Sequence, residues 1–361
     1  MAFPRSARLS VPSVAFRLFA CLLLACLLPS AVAATGAAPS ATPLRFGILP
    51  TGGPSESRQD WQPLLDDLAR ALGRPVEAVS VSTYEGMHRA IVDRRVDVAF
   101  LSGKLALDTV LQDRMHVIAR LARRDGSTGY RSVLLARRGG PVRDLAMVLG
   151  TPGRWRYARG EELSVSGYMV PEAQLFARRG INTALHFRSV TVDNHQNNAL
   201  AVANGEADVA SNNSADLERF AARFPDQYAR LRVLWRSDPI PHAVLVASRR
   251  LDARTHAAVR DFLVGYGSGQ GERAAQQQRN LRRIHELAGF GPADDLALLP
   301  FADIAHTLQV RQAQARRWID DEALQARLER LRVEHVQVKA RLARTARTAR
   351  ASAEAPSARA R

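Results

Sequence analysis

Apolar and polar positions alternate in short runs over the first third of the chain, and each run is followed by a segment with helical spacing. Alternating or continuous apolar runs predict strands, whereas apolar residues three and four apart predict helices. The predicted elements, strand and helix in turn, lie at 44–50, 61–72, 76–81, 87–92 and 97–101. This order is typical of a sheet that is flanked by helices.

The same succession starts again in the middle of the chain. Strands are predicted at 155–158, 185–192 and 207–210, and helices at 166–178, 195–203 and 215–220. Two such α/β units predict two lobes with a cleft between them, each lobe a mainly parallel sheet flanked by helices. We assign residues 44–138 and 231–300 to lobe 1 and residues 139–230 to lobe 2. Ligands of such sheets bind at the carboxyl ends of strands, where helices begin.

Residues 1–33 have the composition of a secretory signal peptide. A basic start is followed by an apolar run, too short for a permanent membrane span, and by the small residues Ala31-Val32-Ala33. Both cysteines, Cys21 and Cys26, lie in this segment, so the exported chain would have no disulfide. A lipid anchor on Cys26 is the alternative, because Leu23-Leu24-Ala25-Cys26 resembles a bacterial lipobox.

The end of the chain is charged and helix-periodic. Residues 301–342 predict a helical extension, and the low-complexity residues 343–361 predict a disordered basic tail. Of the formal net charge of +16, +3 lies in the signal peptide and +6 in residues 339–361. The remaining body has no strip of basic and aromatic residues, so a nucleic-acid partner is not expected. The histidines are scattered without a His-x-x-x-His pair, and no metal is expected.

One predicted helix start, at residues 161–171, has the composition of an anion site. Ser164, Ser166 and Gly167 precede an apolar-periodic run, and small polar residues are typical helix caps. The first amides of a helix have no partner within it and lie at its positive end. Together with two serine hydroxyls they suit a tetrahedral oxyanion such as phosphate or a phosphonate.

Four segments of the chain carry a resemblance to a known family. They are Asp125-Gly126-Ser127-Thr128-Gly129-Tyr130-Arg131-Ser132, Ser164-Val165-Ser166-Gly167-Tyr168 with Pro171, His195 with Asn198 to Asn213, and Leu234-Trp235-Arg236-Ser237 with Ile240-Pro241. In these segments residues 44–267 resemble the periplasmic phosphonate-binding proteins of bacterial ABC importers, which include phosphite and phosphate binders. The resemblance implies a type II periplasmic binding protein fold, a periplasmic location, a small oxyanion ligand, a permease partner and no catalysis. We further expect a monomer without a cofactor.

The resemblance also carries ligand residues over to this sequence. The family's binding tyrosines match Tyr84 and Tyr130, and its histidine matches His195. Two of its three anion-binding hydroxyls match serines of the helix start, while Val165, at the middle position, offers only its backbone N–H. The complete predicted set is Tyr84, Tyr130, Ser164, Val165, Ser166, Gly167, His195 and Asn212.

Two positions depart from the family pattern. The carboxylate expected shortly after Asn213 is Ala215, and the one expected after Pro241 is Ala243. Asp216, one residue further on, is expected to point elsewhere if its segment is helical. In aminophosphonate binders such carboxylates would hold the ammonium group, and a cation buried without its counter-charge is costly. We therefore predict a ligand without an amine: phosphite, phosphate, a simple alkyl phosphonate or another tetrahedral oxyanion.

Two other functions are considered. An anion-sensing regulatory protein would use the charged C-terminal helix to contact a partner. A hydrolytic enzyme would need a triad, which Ser166, His195 and Asp208 could form on paper, but the chain has no Gly-x-Ser-x-Gly motif.

Overall fold

A computed structural model describes residues 42–49, 53–284 and 287–354, with side chains up to residue 349. The predicted signal peptide, with Cys26, lies outside the described residues. The strands are β1 (Leu44–Ile48), β2 (Val76–Ser80), β3 (Val98–Leu101), β4 (Met115–Arg123), β5 (Gly129–Arg137), β6 (Arg156–Arg159), β7 (Ser189–Val192), β8 (Val209–Asn213), β9 (Leu231–Pro241), β10 (Val244–Ser248) and β11 (Leu287–Pro292). The α-helices are α1 (Pro54–Leu72), α2 (Tyr84–Val92), α3 (Gly103–Leu111), α4 (Leu145–Gly150), α5 (Thr183–His186), α6 (His195–Asn204), α7 (Ser214–Arg223), α8 (Pro225–Ala229), α9 (Ala253–Gly265), α10 (Glu272–Arg283), α11 (Leu299–Ala315) and α12 (Asp321–Glu354).

The strands form two sheets, with the orders β11-β4-β10-β3-β1-β2 and β7-β6-β8-β5-β9. In the first sheet β1 runs parallel to β2 and β3, and the other pairs are antiparallel. In the second sheet β6 runs parallel to β7 and β8, whereas β5 is antiparallel to β8 and β9. The expected mixed α/β architecture is confirmed, but both sheets are mixed rather than mainly parallel. The difference arises because the chain crosses between the sheets twice, and the strands at these crossings run against their neighbours.

The chain crosses between the two sheets at other positions than the lobe boundaries predicted from the sequence. The chain leaves the first sheet after β4 and returns to it after β9. β5 and β9 pair with each other in the second sheet, with Leu134 opposite Trp235. The sequence-based boundaries, after residues 138 and 230, had placed both strands with lobe 1. Side-chain alternation identifies a strand but does not say which sheet it joins, so these boundaries are corrected to 124–128 and 242–243.

The core of the first sheet packs on α1 through aromatic side chains. The fully buried Trp61 of α1 lies between Phe46 of β1 and Phe100 of β3, with ring centroids 5.4 and 5.2 Å apart. In the second sheet the predicted strand at 185–192 is shorter than expected. Its first residues form the turn α5, because the side chain of Asn182 accepts a hydrogen bond from the Ala184 amide and starts a helix there.

The C-terminal extension is helical, as predicted, and packs on the first sheet's core. Phe301 of α11 lies against Gly103 of α3, where a Cβ atom would be 2.2 Å from its ring. The predicted disorder from residue 343 is wrong as far as Glu354, because α12 continues to that residue. Leu342 and Ala346 are 0 and 1 % exposed, and this small apolar stripe holds the arginine-rich last turns on the protein. Within the described residues, no helix has both the length and the apolarity that crossing a bilayer requires.

Candidate ligand-binding site

A pocket of about 610 Å³, open side included, lies where strands of both sheets end and helices begin. Tyr84 follows β2, Ser102 follows β3, and His195 follows β7, while Asn213 is the last residue of β8. Such strand ends are the usual ligand position in α/β sheets. The remaining lining residues are Leu49, Phe100, Leu121, Arg123, Tyr130, Ser164, Val165, Ser166, Ala215, Asp216, His242, Ala243 and Leu287.

The helix start at Ser164 lies at this pocket. The Ser164 hydroxyl accepts a hydrogen bond from the Gly167 amide at 3.1 Å and caps the helix, so its own hydrogen can be donated elsewhere. The amides of Val165 and Ser166 precede the first intrahelical bonds, which run from Tyr168 and Met169 to the Ser164 oxygen. These amides and the cap serine are therefore the kind of donors that helix N-termini offer to anions.

This helix is wider than the predicted α-helix. Val165–Met169 and Pro171–Phe176 have π-type spacing, followed by a 3₁₀ turn at Ala177–Arg179, and we call this segment the wide helix. In an α-helix the amide of residue 171 would donate to the Gly167 oxygen, and in a π-helix it would donate to the Ser166 oxygen. Pro171 has no N–H, so it can make neither hydrogen bond.

Both of these oxygens find partners outside the wide helix. Ser132 of β5 donates its hydroxyl to the Ser166 oxygen at 2.6 Å, and the Gly160 amide donates to the Gly167 oxygen at 3.0 Å. Gly160 and Gly167 also pack backbone to backbone, since a Cβ on Gly167 would lie 2.9 Å from the Gly160 Cα. The proline thus leaves two oxygens that fix the helix start to β5 and to the end of β6.

Two tyrosines, the buried Tyr84 and the partly buried Tyr130, approach the same helix start. The Tyr84 side chain contacts that of Ser164, and the Tyr130 side chain contacts that of Ser166. Burial raises the pKa of both phenols well above their usual range, so both are neutral hydrogen-bond donors at physiological pH. Glu161 accepts from the Tyr84 amide at 3.0 Å and links the wide helix's loop to α2 of the other sheet.

His195, Ser166 and Asp216 form a polar cluster beside this helix start, together with Asn213. The Ser166 hydroxyl lies 3.3 Å from both His195 Nε2 and Asn213 Nδ2. Asn213 Nδ2 also donates to Asp216 Oδ2 at 2.7 Å, and this oxygen lies 3.9 Å from His195 Nε2. Burial lowers the pKa of His195, and the nearby Asp216 opposes this only in part. The imidazole is therefore neutral at physiological pH.

Two of the predicted residues do not line the pocket. The Gly167 amide is already bonded to Ser164, and its role is the close approach to Gly160. Asn212 donates from Nδ2 to the His195 oxygen at 2.7 Å, so it positions the first residue of α6. The other six predicted residues, Tyr84, Tyr130, Ser164, Val165, Ser166 and His195, do line it.

Asp216 lines the pocket, which corrects the expectation that it points elsewhere. Asn213 caps α7 by accepting from the Asp216 amide at 2.8 Å and donating to the Asp216 carboxylate. This reciprocal pair turns the carboxylate back towards the helix start and hence towards the pocket. The Asn-x-x-Asp spacing at 213–216 is a sequence signal that could have predicted it. Ala215 and Ala243, where the resemblance implies carboxylates, also line the pocket.

Sequence reasoning missed Arg123 and His242 in the pocket lining. Arg123, at the end of β4, forms ion pairs with Glu218 and, at 3.8 Å, with Asp125. His242 stacks on Tyr130 with ring centroids 6.0 Å apart. Arg123 ends β4 and His242 follows β9, so both lie where the chain crosses between the sheets. The sequence-based lobe boundaries placed the crossings elsewhere, so these two residues were not predicted to be near the ligand.

Residues 46–298 match the model of a protein family described as the periplasmic substrate-binding protein of ABC phosphonate transporters. The match covers more than half of the chain. The chain belongs to this family. Proteins of this phosphonate-binding family are periplasmic components of importers, with a small-molecule ligand and a permease as partner.

Individual relatives agree with the family match. The phosphonates-binding periplasmic protein of Escherichia coli is 30% identical over 279 residues, which are 77% of this chain and 80% of the relative. A phosphate-import protein of Mycolicibacterium smegmatis is 24% identical over 225 residues, 58% of this chain and 67% of the relative. The solved binding protein of a Pseudomonas aeruginosa ABC phosphonate transporter superposes with a TM-score of 0.78 at 28% identity, covering 83% of this chain and 98% of that structure.

The hydrolytic triad considered from the sequence is not assembled in this member of the phosphonate-binding family. The backbone amide and the guanidinium of Arg156 donate hydrogen bonds of 2.8 to 3.1 Å to the Asp208 carboxylate. Asp208 therefore has a structural role. Ser166 and Asp216 both approach Nε2 of His195, whereas Nδ1 has no partner among the described residues. A triad needs the serine on one ring nitrogen and the carboxylate on the other. The described residues also contain no cluster of three metal-binding side chains.

Proposed function

We propose that this protein is the solute-binding component of an ABC importer and that it holds a tetrahedral phosphorus oxyanion without an amine. The ligand class is phosphite, phosphate or a simple alkyl phosphonate. The supporting observation is the convergence of donors at one end of the pocket, where two phenols, two serine hydroxyls and the first amides of the wide helix meet. Donors in excess, fixed by the fold, favour an anion over water and cations.

Other residues of the pocket lining support a ligand without an ammonium group. Ala215 and Ala243 stand where the resemblance implies the carboxylates of aminophosphonate binders, and the lining also contains the apolar side chains of Leu49, Phe100 and Leu287. A methyl group or a hydrogen on phosphorus suits these apolar side chains, whereas a charged amine placed against them would lose its hydration without gaining a partner there.

Export, oligomeric state and delivery of the ligand are also part of the proposed transport function. Residues 1–33 direct export and are removed, with lipid anchoring on Cys26 as the alternative. The exported chain acts as a monomer, delivers its ligand to a membrane permease and performs no reaction on it. Dependence of ligand uptake on the permease would distinguish this function from sensing through the C-terminal helix.

Titration calorimetry on the chain from residue 34 onwards tests the ligand class. We expect methylphosphonate, phosphite or phosphate to bind more tightly than 2-aminoethylphosphonate. Ser166→Ala removes a donor at the helix start, and we expect it to weaken binding about 10- to 100-fold, the usual value of a hydrogen bond to a charged group. The matched control is Ser268→Ala, an exposed serine outside the pocket lining. Absence of binding to every phosphorus oxyanion would refute the proposal.

A further inference from the structure

The oxyanion end of the pocket contains a carboxylate, which is unexpected for an anion site. Asp216 lines the pocket, and its side chain is only 12 % exposed. Two like charges in a partly dehydrated site repel each other strongly, unless a proton lies between them. A carboxylate in such a site therefore constrains which form of the ligand can bind.

The position of Asp216 identifies the part of the ligand that it faces. Asn213 Nδ2 lies 2.7 Å from Asp216 Oδ2 and 3.3 Å from the Ser166 hydroxyl, so it bridges the two side chains. The same Asp216 oxygen lies 3.9 Å from His195 Nε2. It also lies close enough to Tyr84 and Tyr130 for its charge to act on both phenols. Asp216 therefore lies among the donors for the phosphorus oxygens and faces the anionic head of the ligand.

We propose that Asp216 selects the protonation state of the ligand, because its carboxylate accepts the hydrogen of a P–OH group and excludes tetrahedral dianions that carry no proton. This inference rests on the proposed function and specifies it further. The bound species is then the monoprotonated oxyanion, and sulfate is rejected although it has the same shape. A site built to pair one hydroxyl discriminates strongly against an analogue that lacks it.

Other groups around Asp216 do not explain a pH dependence above neutrality. The titratable and charged groups lining the two cavities that share Asp216 are Glu56, Tyr84, Arg123, Tyr130, His195, Arg219, Arg223 and His242. Burial lowers the pKa of both histidines and raises the pKa of both tyrosines, so all four stay neutral at mildly alkaline pH. The three arginines are paired with acidic side chains and keep their charge.

The experiment combines pH with one substitution. Calorimetry with methylphosphonate is performed from pH 6.5 to 9, and affinity in the parent protein is expected to fall about tenfold per pH unit once the second ligand proton is lost, by proton linkage. Asp216→Asn keeps the acceptor oxygen that Asn213 uses but can donate to a dianion. We expect this variant to lose the pH dependence and to bind sulfate about 10- to 100-fold more tightly than the parent protein does. Asp226→Asn, an exposed carboxylate on α8 with the same change in charge, is the matched control.

Three results would overturn the inference, and they differ from one another. Affinity of the parent protein that does not change with pH would show that no ligand proton is required, even if Asp216→Asn failed to fold. Equal weakening of sulfate and methylphosphonate in Asp216→Asn would assign Asp216 to the support of a charged His195. Preference of the parent protein for 2-aminoethylphosphonate, lost only in Asp216→Asn, would assign Asp216 to an ammonium. Absence of any phosphorus oxyanion binding would instead refute the proposed function itself.

Discussion

The Ser132 hydroxyl and the Ser166 backbone oxygen form a 2.6 Å hydrogen bond that joins the second sheet to the helix start at the pocket. Ser132 is 0 % exposed, so water cannot replace its hydroxyl. The bond exists because Pro171 leaves the Ser166 oxygen without an amide partner. A residue outside the pocket lining thus positions the serine that we propose as a ligand donor.

Ser132→Ala is expected to destabilise the protein and to weaken ligand binding together. The substitution leaves a buried oxygen unpaired, which costs about 1–3 kcal/mol, and it frees the helix start to move. Urea unfolding and calorimetry with methylphosphonate measure the two effects. Ser268→Ala is the control, because that exposed hydroxyl donates to the Gly265 oxygen, which water can also reach. Unchanged affinity in Ser132→Ala would show that the wide helix holds its position without β5.

Much of the fold was predictable from the sequence because its elements carry local signals. The first five elements of the chain follow the alternation and helical spacing of their residues, and Thr83 and Gly73 mark helix ends by their own chemistry. Sheet membership was not predictable in this way. β5 and β9 have ordinary strand patterns, and their partners are separated from them by about a hundred residues of chain.

The residues of the site likewise differ in whether the sequence could predict them. Ser164 was predictable because a cap serine acts on an amide three residues away, and Tyr84, Tyr130 and His195 came from the family resemblance. The contribution of Ser132 was not, because it depends on the pairing of distant segments. For the tail, the low complexity of the sequence predicted disorder where the structure has a helix. Leu342 and Ala346 supply enough apolar contact to order that helix.

The ion pairs of Arg219 join helices beside the two sheets, and we expect them to hold the sheets together around a bound ligand. Arg219 of α7, beside the second sheet, lies 3.1 Å from Glu56 and 3.0 Å from Asp60 of α1, beside the first sheet. All three side chains are at most 20 % exposed, so solvent screens these pairs less than it screens exposed ones, and loss of Arg219 would leave two partly buried carboxylates without their partner. Arg219→Gln should weaken methylphosphonate binding roughly fivefold, mainly through faster dissociation, which stopped-flow fluorescence measures.

Arg332→Gln is the matched control for this prediction. Arg332 pairs with Glu329 on the exposed face of α12, and both side chains are more than half exposed. We expect no change in affinity or dissociation rate there. An equal effect of both substitutions would indicate a general effect of net charge on the anionic ligand.

Leu342→Ala is expected to separate stability from ligand binding. Leu342 is fully buried against the first sheet's core, and truncation of a buried leucine costs about 2–5 kcal/mol. None of the described residues that line the pocket belongs to α12, so affinity for methylphosphonate should stay the same. Val336→Ala on the same helix, where the side chain is 55 % exposed, should change the free energy of unfolding by less than about 0.5 kcal/mol. A loss of affinity in Leu342→Ala alone would favour communication between the C-terminal helix and the site.

Glu172 of the wide helix is expected to make the protein less stable as pH rises. Burial raises the pKa of Glu172 from its ordinary value of 4.5 to about 7, and the hydrogen bond from Thr183 at 2.6 Å opposes this shift only in part. The folded state therefore keeps a proton that the unfolded state loses. Between about pH 4.5 and 7 the free energy of unfolding should fall with rising pH, by up to about 3 kcal/mol in total.

Glu172→Gln should remove this dependence, because a glutamine is neutral at every pH and can still accept from Thr183. We expect the variant to match the parent protein near pH 4.5 and to exceed its stability by about 2–3 kcal/mol at pH 8, measured by urea unfolding. Glu206→Gln, an exposed glutamate on the second sheet's side, serves as the control and should leave the slope unchanged. Parallel stability curves for Glu172→Gln and the parent protein would show that Glu172 is ionised in the folded state and that Arg159, which lowers its pKa, compensates its burial.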